Sequence, residues 1–274
     1  MRKLEAELAG LPPLPHLVIT NGAVKSNHCR TLAFIAARRG VSAHLVLHGD
    51  ARTPGDESAL RMLELLGATW EVVPPELIGP TIDQRREAAI ASGQLVHVIA
   101  GGCHTPAGAA AYRDAAVPVL AELAPDWVVT ASGTGATQGG IAAAATLCGG
   151  TARVTGISVG RRADRGAAAV AEAAEWAGTT AAVDFRDEYL DGGYGKHTRR
   201  TDDAVALGWR HALPLDHTYT GKAMAGLLDM VQRGEVPRGS RVLLWHTGGL
   251  ANHLLDDRGG NMRSVTTAPE REKA

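Results

Sequence analysis

This chain of 274 residues has little of what builds disulfide-stabilised, membrane-spanning or secreted proteins. Its three cysteines, Cys29, Cys103 and Cys148, are odd in number and widely spaced, which argues against a disulfide framework and against a cysteine zinc site. No apolar run approaches the roughly 20 residues of a membrane-spanning helix. The first residues also lack the apolar core of a signal peptide. We therefore expect a cytoplasmic protein.

An excess of charge of either sign is also missing. The 28 Lys and Arg residues balance 29 Asp and Glu residues, and no basic run is interleaved with aromatic residues. Nucleic acid and anionic membranes are therefore poor candidate partners. Apolar residues make up 45% of the chain, enough for a substantial core. The expected ligand is a small molecule.

Strand-like and helix-like segments alternate along the chain. The predicted strands cover residues 17–20, 43–47, 69–73, 95–99, 127–131, 152–157 and 241–245. The predicted helices cover residues 31–37, 57–66, 82–92, 105–123 (with a break at Pro118), 141–147, 166–176 and 221–231. This alternation predicts parallel sheets covered by helices. We expect a small α/β domain over residues 4–110, a large one over residues 111–274, a functional loop over 185–201 and a disordered tail after residue 263.

The segment 21–30 follows the first predicted strand and leads into a helix. It places Ser26 and Asn27 at the helix amino end, where free backbone N–H groups and the helix dipole can hold a carboxylate or phosphate. Ordinary helix capping by Ser26 or Asn27 explains the same residues. The segment alone leaves both interpretations open.

A glycine-rich segment, residues 131–140, follows a predicted strand and opens a helix, which is the geometry of a phosphate site. Glycine lets the backbone approach an anion closely, and the hydroxyls of Ser132, Thr134 and Thr137 can add hydrogen bonds. A dinucleotide site would need a third glycine where the chain has Gln138, and an acidic residue after the next strand, where none stands. A turn required only for packing stays an alternative.

A second glycine segment, residues 245–249, ends a predicted strand, where ligands of open α/β sheets bind. Thr247 could reach a ligand nitrogen there, although a strand-ending turn also explains the glycines. Neither His28 nor His246 has a nearby partner at ligand spacing, so we predict no metal site. Tyr219 precedes a glycine turn that opens a helix, a position that suits packing or catalysis.

Together these segments resemble the pyridoxal phosphate enzymes of the aminocyclopropanecarboxylate deaminase and D-cysteine desulfhydrase family, which share the tryptophan synthase β-like fold. The match runs from residue 1 to about residue 250. It rests on residues 2–5, 26–28, 101–102 with Gly108, 132–138, 193–195, 219–222 and 246–249. The resemblance implies two three-layer α/β/α domains with parallel sheets, a pyridoxal phosphate cofactor between them, a small amino acid as substrate, and a homodimer.

The resemblance also implies roles for individual residues. Asn27 would bond the phenolic oxygen of the cofactor, and Ser26 would face the substrate carboxylate. Thr247 would face the pyridine nitrogen, while Tyr194 and Tyr219 would line the substrate side. The cofactor phosphate would be held by Gly133, Thr134, Gly135, Ala136 and Thr137.

Ring-opening deaminases of this family typically carry Glu after the second tyrosine and Leu in the histidine segment, whereas this chain has Thr220 and Thr247. The chain thus resembles the desulfhydrase branch. The implied reaction is loss of the Cα proton, expulsion of a β-leaving group such as sulfide, and release of pyruvate and ammonia. Aminocyclopropanecarboxylate deamination, cysteate sulfo-lysis and non-catalytic binding of the cofactor or an amino acid stay alternatives.

The family's Schiff-base lysine would fall just before Met1, so a missing N-terminal segment is our simplest explanation for its absence. Of the five lysines, Lys25 stands where relatives usually carry Gln. It could be a displaced Schiff-base lysine, an anion contact or a solvent-facing residue. If Ser26 and Asn27 face the cofactor, side-chain alternation turns Lys25 away from it.

Overall fold

The computed structural model describes residues 1–11, 15–49, 51 and 53–255. Eight strands lie in these ranges: Leu17–Ala23 (β1), Ser42–His48 (β2), Thr69–Val72 (β3), Val96–Ile99 (β4), Trp127–Ser132 (β5), Arg153–Ser158 (β6), Asp184–Arg186 (β7) and Val242–Trp245 (β8). Ten α-helices lie there too: Arg2–Ala9 (α1), Asn27–Arg39 (α2), Pro54–Leu65 (α3), Ile78–Ala91 (α4), Pro106–Leu123 (α5), Ala136–Leu147 (α6), Ala163–Trp176 (α7), Arg199–Arg210 (α8), Thr220–Gln232 (α9) and Leu250–Leu254 (α10).

The strands form two separate parallel sheets of four strands each. The first has the order β3-β2-β1-β4, and the second has the order β7-β6-β5-β8. In each sheet the strand that comes first along the chain is central, with Leu17 pairing with Ser42 and Val96, and Trp127 pairing with Arg153 and Val242. The expected fold class, α/β with parallel sheets, is confirmed.

Helices cover the first sheet because its central strands are apolar. Val18 and Leu45 pack with Leu32 of α2 and with Leu4 and Leu8 of α1 in one continuous core. Removing this apolar surface from water is the main stabilising contribution to the sheet. The packing holds α1 and α2 close to the carboxyl end of β1, where the segment with Ser26 begins.

The second sheet is covered on both faces, which explains why β5 is buried along its whole length. Val129 packs with Ala223 and Met230 of α9 on one side. Val128 packs with Ile141 of α6 on the other side, together with residues of α5. Every residue of β5 is buried, so its carboxyl end is a rigid support for the loop that follows.

Two glycines of the 131–140 segment serve helix packing. A Cβ on Gly139 would lie 2.6 Å from the Cβ of Ala173 in α7, and a Cβ on Gly140 would clash with the carbonyl oxygen of Ala109 in α5. Helix α6 is therefore held tightly between α5 and α7, with its amino end fixed near the carboxyl end of β5.

The structure differs from the sequence predictions in several places. Helix α5 runs through Pro118 without ending. The expected loop 185–201 is shorter, because β7 ends at Arg186 and α8 begins at Arg199. Residue 110 lies inside α5, so the domain boundary there stays a prediction, and the predicted disordered tail falls outside the described residues. None of the helices within the described ranges has the length and apolar character needed to cross a bilayer.

Candidate active site

Ser26 caps helix α2 at the carboxyl end of β1. Its backbone is extended, and its Oγ accepts a hydrogen bond from the N–H of Cys29 at 3.4 Å. Gly22 makes this turn possible, since a Cβ there would lie 2.7 Å from the Cys29 Sγ and 2.9 Å from the Ser26 Oγ. Capping therefore occurs, and it leaves the amides of the first turn and the Asn27 side chain at the same helix end.

Arg30 lies one turn beyond Asn27 and is almost fully buried. One of its terminal nitrogens, Nη2, donates to Asn27 Oδ1 at 2.5 Å and also to Asn252 Oδ1 in α10. Its other terminal nitrogen, Nη1, is buried and has no hydrogen-bond partner among the described residues. Burial lowers the pKa of Arg30, while Tyr194 and Tyr219 raise it, so the guanidinium lies near both tyrosines. Sequence reasoning missed this buried cation.

Tyr194 and Tyr219 form a pair. Their hydroxyl oxygens are 2.5 Å apart, and their rings meet edge to face with centroids 5.8 Å apart. Although 38% of Tyr194 is exposed, burial raises the pKa of Tyr194 to about 12. Burial also raises the pKa of Tyr219 well above that of an ordinary phenol. Both phenols therefore keep their protons at neutral pH.

Asp216 fixes the position of Tyr219. It is fully buried, and its carboxylate accepts hydrogen bonds from the N–H groups of Thr218, Tyr219 and Thr220, from the Thr220 hydroxyl at 2.7 Å and from the Asn252 amide. The Thr220 hydroxyl in turn accepts from the Asp216 N–H at 2.9 Å. The carboxylate and the hydroxyl are thus both committed to holding the turn.

Lys222 braces the loop that carries Tyr194. Its side chain is fully buried, and its Nζ donates to the carbonyl oxygens of Leu190 at 2.6 Å and Gly193 at 2.9 Å. Burial lowers the pKa of Lys222 to about 8. The amine therefore holds the backbone of the loop just before Tyr194.

The amino end of α6 is a ready anion site. Gly135 precedes the helix with φ 104°, and no side chain caps the first turn. A Cβ on Gly135 would lie 2.9 Å from the backbone of Ala169. The Oγ of Ser132 is buried without a partner in the part of the chain that the structure describes. The free amides and the unused hydroxyl are donors that a phosphate can use.

The loop over residues 132–137, which we call the phosphate loop, also contacts the turn that follows β4 of the first sheet. The Thr134 side chain packs on Gly102, where φ is 67° and a Cβ would lie 2.7 Å away. The Thr134 carbonyl accepts from Arg161 at 3.0 Å. Thr137 hydrogen-bonds the phenol of Tyr112, a residue that sequence reasoning missed. Gln138, by contrast, is buried and donates to the Asp184 carbonyl at 2.9 Å.

Lys3 and His28 lie close to this contact. The Lys3 Nζ donates to the Gly102 carbonyl at 2.5 Å, and burial lowers the pKa of Lys3. The sequence pattern did not indicate this position of Lys3. His28 contacts the Thr20 hydroxyl through Nε2 at 2.8 Å, and burial lowers the pKa of His28 to about 3. The imidazole is therefore neutral and structural.

Lys25 and Thr247, two residues predicted for the site, have surroundings that differ from those of the residues described above. The Lys25 Nζ lies 3.7 Å from Asp56 Oδ1 near the start of α3, with 35% of its side chain exposed. Thr247 is exposed on the turn after β8. Their roles toward a cofactor stay predictions.

Comparison with known proteins identifies the chemistry. Residues 14–248 match the model of the pyridoxal-phosphate dependent enzymes. The chain belongs to this family. It is 29% identical over 262 residues to a putative 1-aminocyclopropane-1-carboxylate deaminase of Pyrococcus horikoshii, with 92% of this chain and 79% of the relative covered. It is 29% identical over 269 residues to a D-cysteine desulfhydrase of Yersinia pestis, with 91% and 81% covered.

Solved structures of relatives agree with this family. The crystal structure of an ACC deaminase homologue superposes with a TM-score of 0.80 at 32% identity, covering 91% of this chain and 79% of the other. The crystal structure of a threonine deaminase superposes with a TM-score of 0.61 at 16% identity, with 89% of this chain and 80% of the other covered, a likeness of fold. The expected pyridoxal phosphate cofactor is thus confirmed at the level of the family.

The described residues fit this cofactor. The uncapped end of α6 and the unused Ser132 hydroxyl suit a phosphate. When bound, pyridoxal phosphate supplies an electron sink for a carbanion at the amino acid Cα. The protein supplies position and proton carriers around it.

Proposed function

We propose that this chain is a pyridoxal-phosphate dependent lyase that acts on D-cysteine by β-elimination, releasing sulfide, pyruvate and ammonia. The observation that carries the proposal is the hydrogen-bonded pair of Tyr194 and Tyr219. The polar groups of Asp216 and Thr220, which hold Tyr219 in place, are already used in hydrogen bonds. The neutral phenols of Tyr194 and Tyr219 are therefore the groups that exchange protons with the substrate.

The substrate carboxylate binds at the amino end of α2. Ser26 lies there as the cap, and the first-turn amides and the helix dipole favour a negative charge. The buried Nη1 of Arg30, beside the tyrosine pair, is a second donor for an anionic group of the substrate. Asn27 is held by Arg30 and would bond the phenolic oxygen of the cofactor.

The cofactor phosphate binds at the phosphate loop. Gly133, Thr134, Gly135, Ala136 and Thr137 supply its backbone, and Ser132 adds a hydroxyl. We include Thr247, on the turn after β8, as the partner of the pyridine nitrogen. The two halves of the molecule then contribute opposite ends of one site.

The proton donors in the site indicate which leaving group it can expel. A carbon leaving group needs an acid, and ring-opening relatives typically carry Glu at the position of Thr220. Here the Thr220 hydroxyl donates to Asp216, and Asp216 already accepts five hydrogen bonds. A thiolate leaves readily because thiols have a pKa of about 8.5. Phenols with raised pKa values can donate a hydrogen bond to departing sulfide without becoming charged.

The test is a substrate panel with the purified chain and pyridoxal phosphate. We expect equal amounts of sulfide and pyruvate from D-cysteine, and a much lower kcat/KM for L-cysteine, cysteate and 1-aminocyclopropane-1-carboxylate. Tyr219→Phe should lower kcat. Tyr189→Phe is the matched control, because the Tyr189 phenol bonds Asp229 instead. A ring-opened keto acid formed faster than sulfide would contradict the proposal.

A second measurement separates an enzyme from a non-catalytic binder. The chain is incubated with pyridoxal phosphate, reduced with borohydride and mapped by peptide mass spectrometry. Stoichiometric label on Lys25 would support a relocated Schiff-base lysine, whereas label on Lys3 would assign that role to the amine beside Gly102. Cofactor binding without a labelled lysine would overturn the catalytic proposal for this chain and favour non-covalent binding.

A further inference from the structure

The loop and the turn that carry the two tyrosines also bring three metal-ligating side chains together. These are His197 in the loop, Asp202 in the first turn of α8, and His217 in the turn before α9. One ligand atom from each lies within 4.8 Å of the others. The His197 Nδ1 is 2.5 Å from Asp202 Oδ1, and the His217 Nε2 is 3.7 Å from the same oxygen.

The donor set has the chemistry of a transition-metal site. Two imidazole nitrogens and one carboxylate oxygen suit first-row divalent ions such as zinc. Zinc lies about 2.0–2.1 Å from such atoms, so tetrahedral ligand atoms are about 3.3 Å apart. The His217–Asp202 distance of 3.7 Å is close to this spacing. The His197–Asp202 pair would open by about 0.8 Å as the metal replaces the proton that the two share.

We propose that His197, Asp202 and His217 bind a divalent transition-metal ion, with zinc the first candidate and water completing the coordination. The side chains are 9%, 37% and 14% exposed, so an ion and a water molecule can reach them from solvent. The site needs no cofactor and does not rest on the proposed function. Sequence reasoning missed it because it examined only His28 and His246, and because the ligands follow no short spacing motif.

Ring packing holds both imidazoles in place. The rings of His197 and His217 have centroids 4.6 Å apart, and His253 of α10 stacks on His217 at 5.6 Å with an angle of 15°. Trp209 of α8 packs on His253 at 4.7 Å. Side chains already held by packing lose less conformational entropy when they bind an ion.

The position of the cluster means that a bound ion affects the tyrosine pair. His197 follows Tyr194 by three residues, and His217 precedes Tyr219 by two. An ion bound to both histidines joins the loop to the turn and holds the two hydroxyls within hydrogen-bond distance. The metal is therefore a structural clamp on the tyrosine pair, outside the reacting atoms.

The rival explanation is a hydrogen-bonded His197–Asp202 ion pair with His217 packed against the neighbouring rings. The test uses the untagged full chain, stripped with EDTA, desalted and titrated with zinc by calorimetry. We expect one zinc ion per chain. His217→Phe keeps a stacked ring but removes the ligand nitrogen, and it should weaken zinc binding at least about 100-fold. His197→Asn should do the same, and His211→Asn, at an exposed position after α8, should bind like the parent chain.

Limited trypsin digestion gives a second readout that adventitious surface binding would not produce. Lys196, Arg199 and Arg200 are exposed beside the cluster. Zinc should slow cleavage at these residues in the parent chain and in His211→Asn, and should have no effect in His217→Phe. Absence of zinc binding by the parent chain, or equal binding by His217→Phe and the parent chain, would overturn the proposal.

Discussion

The two halves of the molecule treat the same structural position differently. In each half a central strand, β1 or β5, leads into a helix whose amino end lies at the carboxyl end of that strand. Helix α2 is capped by its own Ser26. Helix α6 has no side-chain cap and begins after Gly135, which has a positive φ. In the proposed site the capped end would present side chains to the substrate carboxylate, whereas the bare end would present backbone amides to the cofactor phosphate.

The strongest test of this comparison is Gly135→Ala. The new Cβ would be strained by φ 104° and would meet the backbone of Ala169 at 2.9 Å. We expect pyridoxal phosphate affinity to fall at least about 100-fold, measured by absorbance titration. Gly149→Ala is the control at the other end of α6, since Gly149 also has a positive φ but no atom within 4 Å of its Cβ position. Unchanged affinity in a folded Gly135→Ala chain would show that the bare helix end is not the phosphate site.

A finer test compares two serines that pair across β5 and β6. Ser132 has a buried hydroxyl without a partner in the described ranges, whereas the Ser158 hydroxyl donates to the Arg161 carbonyl at 2.6 Å. Ser132→Ala should lower cofactor affinity about tenfold, through one lost hydrogen bond, without lowering the free energy of unfolding.

Ser158→Ala is the opposite case. It should lower the free energy of unfolding by about 1–2 kcal/mol and affect cofactor affinity less. Urea unfolding and cofactor titration on both variants check the pair. A destabilised Ser132→Ala chain with normal affinity would mean that this hydroxyl has a purely structural role.

The capped end is tested with two substitutions of Ser26. Ser26→Ala should lower the free energy of unfolding by about 1 kcal/mol through loss of the cap. Ser26→Asp keeps a capping oxygen, so stability should be retained, but its charge should repel the substrate carboxylate and raise KM about tenfold or more. If Ser26→Asp leaves KM unchanged, the carboxylate binds elsewhere.

A further comparison concerns the buried amine behind Tyr194. Because burial lowers the pKa of Lys222 to about 8, the unfolded chain binds more protons than the folded chain between about pH 8 and the ordinary lysine pKa. The free energy of unfolding of the parent chain, relative to Lys222→Met, should therefore rise as the pH is raised through this window. Unfolding curves at pH 7 and pH 10 measure it, and a fall would contradict the lowered pKa.

The sequence predicted the parts of the site that depend on local patterns. The turns after β1 and β5 follow from apolar strands, small residues and helix formers, and Tyr219 lies beside a glycine turn. Helix α8 was missed because its first turn is highly charged and its buried stripe, Thr201, Ala204, Val205 and Gly208, is narrow and contains small residues.

Residues whose role depends on distant contacts could not be found from the sequence. Arg30 donates a hydrogen bond to Asn252, 222 positions away, and the Lys3 amine donates to a carbonyl 99 positions away. Nothing near Arg30 or Lys3 in the sequence distinguishes them from surface cations. Burial of such groups is a property of the assembled halves.

The contact between Gly102 and Thr134 has a mechanical consequence. It joins the turn after β4 to the phosphate loop, because Gly102 has no side chain and the Thr134 side chain packs directly on its backbone. A rotation of one half against the other about this point would leave the phosphate end of the cleft almost still. A cofactor phosphate held by this loop would therefore stay anchored during such a rotation.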